Sequence, residues 1–450
     1  MRGSLKGGLL ALLLILIFCT AATSDDGVLR LSLEDSIAMA LERSVIIHSA
    51  REGVKASEAE KKRTRTSFLP QLSTSYTYTR LNESPQVPIF DITTMSSKMV
   101  DAGKKDNYTW DLELRQPIFT GGAIRNSYEM SKIDLKVSQF SEDTTTQDII
   151  LEVKNSYYNI LKSERILKLA SQSVQQLQAH RDTAQSFYDV GIIPKNDLLY
   201  AEVELANGYQ DLVRAENALN LAKAQFNTVI RRDIHLPIEV EDILTYKSYE
   251  KGFDECLSMG LQKRPEIRRH ELEYQKAGRA VRLAKSGFFP TLNVVGNYSR
   301  YGEKPDVRGS NYQDSEDWYV AAVTQWNFWE WGKTKFSVDA SRSRERQAMD
   351  MLVNIKDLIS LQIKNSYLLL KEAEKRIFVA EKAIEQAEEN FRINGERYKE
   401  QVATSTDVID AQTLLTKTKS DYYNALSDYN IALGTLERAM GVSYSSEKTE

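Results

Sequence analysis

Asp407 and Asp410 are three residues apart, just after a Ser405-Thr406 step. On a helix that spacing puts both carboxylates on one face. A third aspartate, Asp197, stands shortly after Gly191 and Pro194. Gly191 suits a left-handed helix C-terminus, and Pro194 prevents the helix from continuing. Asp197 can then cap the returning helix, its side-chain oxygen accepting backbone N–H bonds. Ser405, Thr406 and Asp407 offer the same chemistry in the later segment. The plain structural reading of both segments is a helix stop followed by a helix start, with the aspartates as caps.

No other arrangement points to covalent or metal chemistry. His48, His180, His235 and His270 are scattered without ligand-like spacing and read as solvated helix positions. There is no Ser/His/Asp or Cys/His constellation, phosphate loop or nucleophile elbow. Paired acids such as Glu388-Glu389 fall in charged helix faces and read as solvated surface. Cys256 sits in a predicted helix, where a lone thiol is usually packing. The sequence therefore argues against an enzyme, a cofactor and a resident metal. A formal charge of −4 gives no reason to expect nucleic acid.

The N-terminus carries Arg2 and Lys6, an apolar run from Leu9 to Phe18, and small residues from Thr20 to Ser24. This order describes a secretory signal peptide over residues 1–23. Cys19 invites a lipoprotein reading, but Phe18 stands where the lipid-attachment signal wants a small residue. Removing the leader takes Arg2 and Lys6 with it and moves the formal charge from −4 to −6. No later stretch approaches the roughly 18 apolar residues of a transmembrane helix. An exported chain of this kind that enters a membrane must do so as β-structure.

The elements that position the aspartates come from a duplicated design. Val153-Lys154-Asn155-Ser156-Tyr157 returns as Ile363-Lys364-Asn365-Ser366-Tyr367, 210 residues later. The same offset carries Tyr188 to Tyr398, Asp197 to Asp407 and Ala201 to Ala411. Earlier, Phe68-Leu69-Pro70 returns as Phe288-Phe289-Pro290 at an offset of 220, so the loop near 81–107 is longer than its counterpart near 302–316. Period-two alternation predicts strands at about 71–81, 108–117, 291–301 and 317–327, the last alternating poorly. Proline-free sequence predicts very long helices over about 122–189 and 332–400, each followed after a tight turn by a second helix, about 196–230 and 405–440. Leu198, Ala201, Leu205, Leu212 and Ala215 keep one heptad seam, and Val408, Ala411, Leu415, Tyr422 and Ala425 keep its partner. The chain divides into a first repeat over 24–230, a linker over 231–252, a second repeat over 253–441 and a tail over 442–450.

The fold class expected is mainly α with a transmembrane β part. Four strands cannot close a barrel, since barrels start at about eight, and open edges are forbidden in lipid. If these strands enter a membrane, the barrel is shared between chains, and two or three copies both satisfy the count. The competing reading is a structural periplasmic or surface coiled-coil protein that never forms a pore; it explains the helices but not the strands.

The order of motifs resembles the TolC family of outer-membrane efflux proteins over nearly the whole mature chain. The marks are Phe68-Leu69-Pro70 and Phe288-Phe289-Pro290 leading into strands, and Gln116-Pro117-Ile118-Phe119-Thr120-Gly121-Gly122 closing one. Trp326-Asn327-Phe328-Trp329-Glu330-Trp331-Gly332 is the second closure, and the two hairpin segments at Tyr188–Leu199 and Tyr398–Ala411 complete the pattern. The resemblance implies a homotrimer whose twelve-stranded β-barrel, four strands per chain, continues into a long periplasmic α-helical barrel. It implies an equatorial domain from residues 231–252 and the C-terminal tail. It also implies a duct in the outer membrane of a Gram-negative bacterium, in contact with outer-membrane lipid. The partners it implies are a periplasmic adaptor (membrane fusion) protein and an inner-membrane transporter of RND, ABC or MFS type, for efflux or type I secretion.

The same resemblance places Asp407 and Asp410 as rings at a periplasmic constriction, where carboxylate rings favour cations. It implies a closed-state hydrogen bond between Tyr398 and Asp197, and adaptor contacts at Gly191, Ile192, Pro194, Leu198, Val402, Ala403 and Ser405. Three positions depart from the pattern. Ser44-Val45 stands where the family often has Asn-Pro, Gln401 replaces the glycine kept at Gly191, and Ala403 stands where the family has a basic gate residue. The lock is accordingly expected to be weaker here.

Overall fold

The structure, a computed structural model, describes residues 29–93 and 95–442. The expected signal peptide, Cys19 and all but the first residue of the expected tail lie outside the described residues. The chain runs through β1 (Leu29–Leu31), α1 (Leu33–Arg43), α2 (Val45–Thr66), β2 (Gln71–Arg80), β3 (Gln86–Asp91), β4 (Ser96–Asp101) and β5 (Asp106–Phe119). Then follow α3 (Ala123–Asp189), α4 (Lys195–Val229), β6 (Ile238–Val240), α5 (Phe253–Lys263) and α6 (Pro265–Lys285). The chain closes with β7 (Thr291–Gly302), β8 (Glu316–Gln325), α7 (Lys333–Lys399) and α8 (Ser405–Ala439).

Helices dominate, and their lengths are matched. α3 and α7 are both 67 residues long, and α4 and α8 are both 35. At 1.5 Å per residue the longer pair reach about 100 Å. Each starts from a left-handed step: Gly121 and Gly122 have φ of 61° and 87°, and Trp331 and Gly332 have 50° and 84°. A Cβ at Gly121 would lie 2.7 Å from the Ser286 carbonyl oxygen, so only glycine fits this backbone approach. α4 folds back on α3 and α8 on α7, and α3 also packs on α8. The seams are small and large residues in turn, with Leu198, Ala201, Leu205 and Ala215 buried on α4 and Val408, Ala411, Leu415 and Ala425 buried on α8.

β2, β5, β7 and β8 form one antiparallel sheet in that order. Register places the pairs Tyr76–Trp110, Leu72–Leu114 and Tyr298–Trp318 on one face. The opposite face is polar, and there Ser299 Oγ donates to Asp111 Oδ1 at 2.6 Å while Ser75 Oγ donates to Asp111 Oδ2 at 3.4 Å, tying three strands. The sheet does not close within one chain: β2 and β8 each pair on one side only, with β5 and β7 respectively. The segment between β2 and β5, expected as loop, contains the β3–β4 hairpin. Pro88 inside β3 hides it from pattern reading, because proline demotes a run to an edge strand.

The main core lies around the middle of the long helices, where Tyr157, Phe226, Ile363 and Tyr429 are fully buried. Residues 231–252 wrap this waist. Tyr157 Oη donates to the Leu31 and Glu241 carbonyls, and Tyr429 Oη donates to the Lys247 carbonyl. β1 pairs in parallel with β6 at the same level. Cys256 is buried there, its Sγ 3.5 Å from the Tyr249 hydroxyl. Among the described residues no helix is long and apolar enough to cross a membrane.

Candidate functional site

The two helical hairpins turn by the same device. At the first tip the Gly191 N–H donates to the Tyr188 carbonyl and the Ile192 N–H to the Phe187 carbonyl, both at 2.9 Å. At the second the Gln401 N–H donates to Tyr398 at 3.0 Å and the Val402 N–H to Arg397 at 2.9 Å. These are Schellman closures, which need a left-handed residue after the helix. Gly191 meets that need at φ 76°, and Gln401 meets it at φ 64° despite its side chain. A non-glycine residue in this region costs about 1–2 kcal/mol. Gln401→Gly should therefore slow hydrogen exchange of the tip amides about fivefold, the equivalent of roughly 1 kcal/mol. Gly191→Ala should speed it by a similar factor, and for a purely conformational reason, because a Cβ there has no atom within 4 Å.

The returning helices start differently from the expectation. The N-cap of α4 is Pro194, with no side-chain cap bond, and Asp197 lies inside the first turn. Asp197 accepts from Asn196 Nδ2 at 3.2 Å and faces the positive end of the helix dipole instead of capping it. In α8 the cap is Thr404, not Ser405 or Thr406. Thr404 Oγ1 accepts from the Asp407 N–H at 3.3 Å, and Asp407 Oδ2 accepts from the Thr404 N–H at 2.8 Å, a complete capping box. That backbone bond, with a second from the Thr404 hydroxyl, holds the Asp407 carboxyl below its ordinary range. Asp410, one turn on, is exposed, and Ile409 beside it is buried.

Ser405 has a different task from the one its sequence position suggests. Its hydroxyl is fully buried and shares a 2.7 Å hydrogen bond with His180 Nε2 of α3. The His180 ring lies 4.8 Å from the Tyr398 ring, which in turn lies 5.6 Å from Phe187. His180 is thus a packed residue and not a solvated one, and burial lowers its pKa to about 4. Its place was readable: it stands three residues after Leu177 and four before Ala184, both buried. His235 also departs from the expectation, since it lies in a turn and not on a helix. Leu198 and Ile409 join Val174, Leu177, Ala184 and Ala201 in a small apolar cluster that bonds the hairpins side by side.

The Tyr398 hydroxyl is buried beside Ser405 and makes no bond to Asp197 in this conformation. Burial raises its pKa, Ser405 works against that rise, and the nearby Asp197 carboxylate adds to it. Gly191, Ile192, Pro194 and Val402 are exposed, and Ala403 is half-buried. No group of His, Cys, Asp and Glu among the described residues is placed to hold a metal ion.

Comparison with known proteins gives this geometry a context. The model of the outer membrane efflux protein family matches twice, over residues 36–230 and 256–442. The outer membrane protein TolC of Vibrio cholerae is 21% identical over 388 residues, 84% of this chain and 83% of its own length. Nodulation protein T of Rhizobium leguminosarum is 19% identical over 329 residues, 72% of this chain and 69% of its own. Among solved structures, the Vibrio cholerae outer membrane protein VceC superposes with a TM-score of 0.78 at 16% identity, covering 91% of this chain and 96% of VceC. The Campylobacter jejuni CmeC outer membrane channel superposes at 0.77, also at 16% identity, over 91% and 85% of the two chains. Two matches of one family model, spanning both hairpins and most of the described residues, place this chain in the outer membrane efflux protein family.

Proposed function

We propose that the chain is one third of a homotrimeric exit duct in the outer membrane, carrying substrates out passively and closed at its periplasmic helical tips. The observation that carries this reading is the two-faced, open-edged sheet. One face presents Tyr76, Trp110 and Trp318 and the other Ser75, Asp111 and Ser299, the pattern of a strand set with lipid on one side and water on the other. Four strands with unpaired outer edges are complete only when neighbouring copies pair with β2 and β8. Three copies give a twelve-stranded barrel of ordinary size, above the minimum of about eight. The long hairpins then form a tunnel through the periplasm. No nucleophile, general-base pair or metal set is required, because the work is conduction and not catalysis.

In this reading the exposed tip residues Gly191, Ile192, Pro194 and Val402, with half-buried Ala403, meet a periplasmic adaptor, while Leu198 and Ser405, expected among the contacts, are buried within the chain and support the tips from behind. The adaptor joins the duct to an inner-membrane transporter of RND, ABC or MFS type. Asp407 and Asp410 supply two carboxylates per chain to the constriction. The test is reconstitution of the full protein in planar bilayers, together with electrophoresis of unheated samples. A duct gives discrete conductance steps and a heat-sensitive oligomer that needs detergent. A detergent-independent protein with no conductance would instead be the structural coiled-coil protein.

A further inference from the structure

We propose that His180 and Ser405 form an acid-released latch between the two hairpins of each chain, a device that rests on the tips being the gate. The bond joins α3 to the first residue of α8, positions 225 residues apart. Ser405 follows the Thr404 cap directly, so a bond through its hydroxyl fixes the start of α8 and the turn before it. The next hydrogen bond between these helices, Gln412 Nε2 to the Ser173 carbonyl at 3.0 Å, lies two helical turns further from the tip. The latch therefore holds the last stretch of the seam, beside the Tyr398 ring.

The surroundings make the latch sensitive to protons. The imidazole is 9% exposed and packed by Tyr398 from α7 and by Ser405 from α8. Of the charged groups nearby, Arg181 on α3 is paired with Asp182 at 3.1 Å. Asp407 on α8 is committed to its cap, Asp410 is exposed one turn away, and Asp197 on α4 lies on the Tyr398 side. None of them offsets the burial, which is the sole cause of the lowered pKa. An imidazolium here would also face the N-terminus of α8, the positive end of its dipole.

The sign follows from linkage. The closed seam holds His180 at about 4, against the ordinary value of about 6.5 in water. The closed state binds fewer protons, so its advantage is complete above about 6.5 and is lost as the pH falls toward 4. A gap of that size sets an upper bound of about 300-fold on the shift toward the open seam.

The test compares wild type, His180→Gln and His180→Ala in planar bilayers at neutral pH and near pH 4.5, with hydrogen exchange of the tip amides in the same oligomer. Glutamine can bond Ser405 at either pH and carries no charge. In wild type the protection factors of the tip amides, which correct for slower intrinsic exchange in acid, should fall at least about tenfold near pH 4.5, with a reversible rise in conductance. His180→Gln should stay protected and closed at both pH values, and His180→Ala should be loosened already at neutral pH. Asp197, Asp407 and Asp410 are present in all three proteins, so the difference isolates the imidazole. An equal acid response in wild type and His180→Gln overturns the latch. Acid-loosened tips in wild type alone, with unchanged conductance, leave the latch standing and overturn the reading of the tips as the gate.

Discussion

Replacing Glu266 with alanine should destabilise the helical waist by about 3–5 kcal/mol, the cost of stranding buried charge. Glu266 lies in the first turn of α6 and is 8% exposed. Its Oε2 accepts from Arg264 Nε at 2.9 Å and its Oε1 from Arg438 Nη2 at 2.7 Å. Arg438 reaches Asp148 of α3 at 2.7 Å. Arg264 donates to Gln362 of α7 at 3.1 Å and to the Arg438 and Ala439 carbonyls at 3.2 and 3.3 Å, closing the C-terminus of α8. One carboxylate thus pins four helices, and without it two guanidinium groups face each other in a dry site. Burial alone would raise the Glu266 pKa, but the Arg438 bond and the two cations outweigh it and hold the carboxyl below its ordinary range. Its contribution is therefore present above the ordinary carboxylate pKa and is lost as the pH falls through the depressed value. Loss of helical circular dichroism on heating, across pH 7 to 3, measures both effects. Glu266→Ala should melt earlier at pH 7 and lose less than wild type on acidification. Breaking an exposed pair such as Lys382–Glu385 should leave the melting temperature close to that of wild type. A Glu266→Ala shift no larger than that would mean the arginines find other partners.

How much of this was legible in the sequence depends on whether the signal was local. β5 was readable because Tyr108, Trp110, Leu112 and Leu114 alternate with polar residues, and the heptad seams because alternating large and small residues repeat. β8 alternates poorly and forms through its pairing with β7, a tertiary cause that periodicity does not carry. The β3–β4 hairpin was masked by Pro88. Of the capping residues expected at the tips, Asp407 takes part in the α8 capping box, whereas Asp197, Ser405 and Thr406 are not the caps. Pro194 and Thr404 start the helices one or more positions earlier than Asp197 and Ser405, and boundaries are where local patterns are weakest. Ser44, which departs from the family's Asn-Pro pattern, supplies an equivalent cap to α2 through the Ile47 N–H at 3.3 Å. The His180–Ser405 bond and the Glu266 cluster join residues far apart in the chain. Nothing in their spacing announces either.

The second large effect concerns permeation. Asp410→Asn combined with Asp407→Asn should reduce cation preference by roughly twofold or more at low salt while leaving conductance little changed. Asparagine removes charge at nearly constant size, so selectivity is the quantity it tests. Asp410→Ala with Asp407→Ala should lower the same preference and also raise conductance, because the aperture loses its side chains. The structure divides the pair. Asp407 is tied into the capping box by two bonds of 2.8 Å, whereas Asp410 is exposed on the next turn. Alanine at 407 therefore also removes the Asp407 half of the capping box, which asparagine largely spares. Of the single substitutions, Asp410→Asn should carry the larger share of the selectivity change, and Asp407→Ala the larger share of any tip loosening seen by hydrogen exchange. Screening supplies an internal control. The Debye length falls from about 30 Å at 0.01 M salt to about 3 Å at 1 M, so a ring effect must shrink steeply over that range. Reversal potentials of wild type and the double asparagine variant, measured across a salt gradient at both ionic strengths, decide it. Identical potentials at low salt would remove these carboxylates from the pore, whatever their role in capping α8.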